Sequence, residues 1–86
     1  MEIVILNSAL KHNITKESIL FCLFHLHNDI VIDDILSKRL FVGFDHLGKA
    51  LEIIAIDDEE QDHLVVIHAM ELRKQFFHLL INEGII

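Results

Sequence analysis

Along residues 3–12, Ile3, Val4, Leu6, Ala9 and Leu10 fall at spacings that suit a short first helix, closed by Lys11. Asn13 follows as a stop, because Asn tolerates the left-handed conformation that ends helices. Thr15 is a side chain that caps, and residues 16–27 read as a second helix. The apolar positions of that helix run nearly all the way round, which predicts deep burial. From residue 29 the texture changes. Ile30, Val31 and Ile32 form a β-branched run that Asp33 and Asp34 end. Residues 39–44 read as a strand, and Asp45-His46-Leu47-Gly48 as a hairpin turn with Gly48 free to take positive φ. Residues 49–56 form the next strand, residues 57–62 a polar turn and residues 63–67 a last strand. Leu64, Val65, Val66 and Ile67 lack polar alternation, so both faces of that strand should be covered. Residues 69–82 return to helical spacing, with Met70, Phe77 and Ile81 on one stripe, Arg73 and Lys74 between them, and Gly84 as the stop. The order predicts an α+β fold: two N-terminal helices, a four-stranded, mainly antiparallel sheet and a C-terminal helix.

Length and composition narrow this further. Eighty-six residues without proline or internal repeat make one domain spanning residues 1–86. A chain this short needs an apolar-rich core, and 52% of it is hydrophobic. That share leaves apolar surface to cover a partner or a second copy as a homodimer. The longest apolar run, residues 19–26, falls far short of the roughly 20 residues of a membrane span. The start, Met-Glu-Ile-Val-Ile-Leu-Asn, lacks the basic opening and apolar length of a signal peptide, so a cytoplasmic location with no membrane contact is expected. The single cysteine, Cys22, sits between Phe21 and Leu23 and reads as a buried small hydrophobe.

The formal net charge of −7 argues against a broad, non-specific grip on nucleic acid and leaves room for one local basic site or a basic partner. Residues 57–62 lack the central Gly and flanking helices of a calcium loop, so they read as a solvated turn. His25 and His27, two apart on an expected helix, point to different sides and cannot readily chelate one ion. The residues call for no metal and no cofactor.

Proton-transfer chemistry is the richer prospect. Lys11 and His12 close the first expected helix, His68 stands at the expected junction of last strand and last helix, and Arg73 and Lys74 follow it. Metal-independent cleavage of RNA through the 2′-hydroxyl needs a base, an acid and a cation for the phosphorane, which these residue types supply. The same residues have ordinary uses too. Lys11 can complement a helix C-terminus, His68 can bond a backbone group, and Arg73 and Lys74 can be a solvated face. Spacing alone leaves both readings open.

Three segments in order resemble one family. Lys11-His12-Asn13-Ile14-Thr15-Lys16-Glu17 resembles the KHGI-x-x-E segment of BrnT-type toxins. Leu40-Phe41-Val42-Gly43-Phe44-Asp45 with Gly48-Lys49-Ala50-Leu51-Glu52-Ile53-Ile54 resembles their central hairpin. The segment from Val65 to Lys74 resembles their last strand and helix start. The likeness spans most of residues 8–80. It implies a RelE-like fold and a type II toxin that cleaves RNA and is neutralised by an antitoxin protein. By position it matches Lys11 and His12 to the family's Lys-His pair, Arg39 to a basic residue opening a strand, and Arg73 or Lys74 to the basic C-terminal helix. The chain departs from the family in its acidity, in Asn13 for glycine and in Met70 for arginine. Two function classes therefore stand side by side: a toxin-like endoribonuclease, and a non-catalytic module that pairs with itself or covers an antitoxin-like helix. A histidine-based pH or metal sensor is a third, resting only on the seven His.

Overall fold

The computed structural model describes residues 1–80. The architecture is α+β, with a five-stranded mixed sheet in the order β1-β5-β4-β3-β2. The strands are β1 (Glu2–Ile5), β2 (Leu26–Asp33), β3 (Lys38–Phe44), β4 (Ala50–Asp58) and β5 (His63–Glu71). One α-helix, α1 (Lys16–Phe24), and two short 3-10 helices (Asn7–Leu10 and Lys74–Leu80) pack around it. β1 runs parallel to β5, and every other neighbour is antiparallel.

This corrects the expected two N-terminal helices, four strands and C-terminal helix of a RelE-like fold. Ile3, Val4 and Ile5 are consecutive branched apolar residues, which lose side-chain freedom in a helix and fit a pleated strand. They pair with Leu64, Val65 and Val66 and supply a fifth strand. At the other end β5 continues to Glu71, with Leu51 opposite Glu71 and Glu52 opposite Met70. The expected helix over residues 69–82 thus begins as strand, and only Lys74–Leu80 winds, as a 3-10 helix. Ile81, Asn82 and the stop at Gly84 lie outside the described residues. The second helix is also shorter than residues 16–27: it ends at Phe24, and Leu26 opens β2.

Other expectations hold. The Thr15 hydroxyl accepts the Ser18 N–H at 3.1 Å, capping α1. Asn13 takes φ 63° and Gly48 takes φ 81°. In β5, Leu64 and Val66 lie in one core, and Val65 and Ile67 are half-buried on the other side.

The sheet buries both faces. On the helix face, Ala9, Ile14, Ile19 and Cys22 pack on Phe41, Leu51, Ile53, Ala55, Val66 and Ala69. On the opposite face, Leu72 and Leu79 pack on Leu40 and Val42, with Phe76 and Leu80 beside them. α1 touches the sheet through Ser18, Ile19 and Cys22, while Phe24 is 72% exposed, so its all-round apolar character is not matched by all-round burial. Gly43 permits this close approach, since a Cβ there would stand 3.0 Å from the Cys22 Sγ. Burial pushes the Cys22 thiol up to about 11, helped by the nearby Asp45 carboxylate.

One end of the sheet is strongly acidic. The β2–β3 hairpin brings Asp33 and Asp34 there, and the β4–β5 turn brings Asp57, Asp58, Glu59 and Glu60. No helix among the described residues is long and apolar enough to cross a membrane.

Candidate functional site

The site forms where β5 changes register. Along a regular strand side chains alternate between faces, which would send Leu64, Val66 and His68 to the same core. A β-bulge prevents this: Ile54 pairs with His68 and Ala55 with Val66, leaving Ile67 as the extra residue. His68 thereby turns to the opposite face, which Glu52 of β4 also faces. β1 ends opposite Val66, and the chain beyond it runs along the open edge of β5. There the Leu6 N–H donates to the Val66 carbonyl and the Ser8 hydroxyl to the Ile67 carbonyl. That path delivers His12, whose ring centroid is 5.6 Å from that of His68, edge to face.

Glu52 is the organising group. It is fully buried, and an uncompensated carboxylate there would be costly. Four donors meet it. His68 Nε2 stands 3.1 Å from Oε2, in hydrogen-bond contact. The Arg73 backbone N–H donates to Oε1 at 3.0 Å. The Arg73 Nε–H spans both oxygens at 3.0 and 3.1 Å, and Nη2 donates to Oε2 at 2.7 Å. Burial alone would push this carboxyl up, but the bonds from Arg73 and His68 outweigh it and hold it below the usual glutamate value. The same hydrogen bonds hold the Arg73 guanidinium above its ordinary value. Arg73 also lies over the Phe76 ring at 5.5 Å, and its side chain remains nearly half exposed.

His12, His68 and Arg73 therefore converge, with Lys11 beside His12 in the chain and Lys74 beside Arg73. Lys11 and Lys74 are exposed and make no ion pair among the described residues. His68 stands in mid-strand rather than at a strand–helix junction. Arg39 stands apart. It shares the helix face with Phe41, whose ring it overlies at 6.0 Å, and it is paired with Asp29 of the edge strand. His25 and His27 have structural partners: the first bonds the Phe21 carbonyl at 2.8 Å, the second the Leu80 carbonyl at 2.6 Å. Among the described residues no three His, Cys, Asp or Glu side chains are grouped as a metal site.

Glu52 escaped the sequence reading, yet it left a signal. It is a lone charge within Leu51-Glu52-Ile53-Ile54, and a charge inside a strand covered on both faces must have a partner. Chemically the cluster offers a second nitrogen on His68. Its Nδ1 has no hydrogen-bond partner among the described residues, and the His68 side chain is 20% exposed. Two imidazoles with cationic neighbours can pass protons to and from a bound phosphodiester. Comparison of the chain with family models, curated proteins and solved structures returns no match.

Proposed function

We propose that this chain is a toxin-like, metal-independent endoribonuclease acting through His12 and His68. The observation that carries the reading is the approach of the two imidazoles, 5.6 Å between centroids, beside the half-exposed Arg73. One imidazole takes the proton of a ribose 2′-hydroxyl as its oxygen attacks the adjacent phosphorus. The other protonates the departing 5′-oxygen. The products are a 2′,3′-cyclic phosphate and a free 5′-hydroxyl. Lys11, Lys74 and the outward N–H groups of Arg73 offset the charge that gathers on the phosphorane. The resemblance to BrnT-type toxins supports the same reaction and adds an antitoxin protein as partner. Arg39, on the other face and already paired, has no part in it.

The test is a defined single-stranded RNA incubated with purified protein in EDTA, with the product ends identified by mass spectrometry. Cyclic phosphate ends that disappear in His12→Ala and in His68→Ala are expected. An inactive wild-type protein, or cleavage that survives His68→Ala together with Arg73→Ala, overturns the reading.

A second reading is favoured by one observation. β2 is an edge strand with Ile30, Val31 and Ile32 partly exposed, and the adjoining hairpin tip holds Ile35 at 94% exposure. An apolar edge of that kind accepts a further strand, from a second copy or from an antitoxin-like partner. A module that binds by β2 and cuts nothing would be dimeric, or would copurify with a partner, while leaving RNA intact.

A further inference from the structure

We infer that Glu52 is the positioning residue of this site, fixing His68 as the Nε2–H tautomer so that Nδ1 is its proton acceptor. The inference deepens the ribonuclease reading and rests on it for the reaction alone, since the tautomer is a property of the folded chain.

The geometry carries it in three steps. A carboxylate can only accept hydrogen bonds, so the 3.1 Å contact with Oε2 places the proton of neutral His68 on Nε2. Glu52 itself cannot turn away, because Oε1 is held by the Arg73 backbone N–H and Nε–H, and Oε2 by Nη2. The other ring nitrogen, Nδ1, then carries a lone pair, has no partner among the described residues and belongs to a partly exposed ring whose centroid is 5.6 Å from that of His12. His68 is thus prepared as the base that accepts the 2′-hydroxyl proton, and His12 is left as the acid for the 5′-oxygen. Arg73 acts in the same arrangement as the clamp on Glu52.

This arrangement makes a specific statement about Glu52→Gln. An amide has one oxygen and one NH2 to place where two oxygens stood. The Arg73 backbone N–H cannot move, so the amide oxygen takes the Oε1 position, where it serves that N–H and Nε–H. The NH2 then occupies the Oε2 position and donates to His68 Nε2, while the half-exposed Nη2 turns to water. His68 must then carry its proton on Nδ1, and its outward acceptor is gone. In a Ser-His-Asp triad the equivalent loss of the correct tautomer lowers kcat about ten-thousandfold.

The experiment uses the full chain labelled with 15N-histidine at about pH 8.5, two units above the ordinary imidazole value, so that the neutral tautomers are read. Long-range 1H–15N correlations, with the His68 signals assigned by their loss in His68→Gln, give the tautomer directly. Wild type is expected as Nε2–H, Glu52→Gln as Nδ1–H, and Glu52→Asp, which keeps the carboxylate, as Nε2–H. RNA cleavage measured on the same samples should fall about a thousandfold or more in kcat for Glu52→Gln, with KM little changed, and recover in part in Glu52→Asp. A wild-type His68 protonated on Nδ1 overturns the inference, as does a Glu52→Gln protein that loses activity with the tautomer unchanged. Should Glu52→Gln fail to fold, the wild-type and Glu52→Asp spectra still decide. An Nε2–H tautomer in a protein that cuts no RNA would remove the ribonuclease reading and leave the orienting role of Glu52 standing.

Discussion

Gly43→Ala should change the sign of its effect when Cys22 is also replaced. In the wild-type background the new Cβ meets the Cys22 Sγ at 3.0 Å, well inside the 3.5–4.0 Å of a comfortable carbon contact. Cys22 is fully buried, and its own carbonyl and that of His25 lie 3.5 and 3.4 Å away, so neither group can step aside without moving α1 from β3. Overpacking of this kind costs about 1–3 kcal/mol. Cys22→Ala alone removes one buried heavy atom, for a loss of about 1 kcal/mol. With both changes the clash is gone and the new methyl occupies part of the vacated space. Gly43 does not hold a positive φ, so alanine there also gains about 0.4–1 kcal/mol from a less mobile unfolded chain. The double variant should therefore be no less stable than Cys22→Ala, and the coupling between the two sites should be about 1–3 kcal/mol. Urea melts of the four proteins, followed by far-ultraviolet circular dichroism, measure it. Effects that add to within about 0.5 kcal/mol would show that Gly43 is not held by contact with Cys22.

Three further outcomes follow from contacts already described. Thr15→Ala removes the cap on α1 and should lower stability by about 1 kcal/mol in the same melts. The Glu52 carboxyl lies below its ordinary value in the folded protein, so its contribution is complete above the ordinary carboxylate range and is lost as pH falls through the lowered value. The stability gap between wild type and Glu52→Gln should accordingly be constant near neutrality and close in acid; a gap unchanged down to pH 3 would refute it. The Cys22 thiol, buried and raised to about 11, should react with a thiol reagent at pH 8 only at the rate of unfolding, and immediate labelling would contradict its burial.

The central hairpin was legible because its turn chemistry and strand composition agree: the residues from Arg39 to Ile56 carry branched apolar side chains around a turn whose Gly48 needs positive φ. Thr15 and Asn13 were legible for the same reason, since each acts on its own neighbours. What failed depended on distant partners. Ile3, Val4 and Ile5 suit a pleated strand but become one against the edge that β5 offers, and Met70 is extended in the ladder opposite Glu52. The site was half visible. His12, His68 and Arg73 were singled out by residue type, and the fold brings them together. Arg39 was matched by sequence position, which says nothing about which face of a sheet a side chain takes. Glu52 was hidden because its partners stand 16 and 21 residues away.

The extra residue at Ile67 gives β5 one residue of slack. Residues 64–67 are all apolar, so the loss of any one of them leaves a regular strand with Ala55 and Ile54 still facing apolar and His68 partners. Such a deletion is absorbed before it reaches the Glu52 cluster: the first half of the strand slides, apolar for apolar, and His68, Glu52 and Arg73 keep their places, whereas the path to His12 loses one of the carbonyls that hold it. Length changes within residues 64–67 are in this way uncoupled from the pairing of His68, Glu52 and Arg73 and coupled to the position of His12.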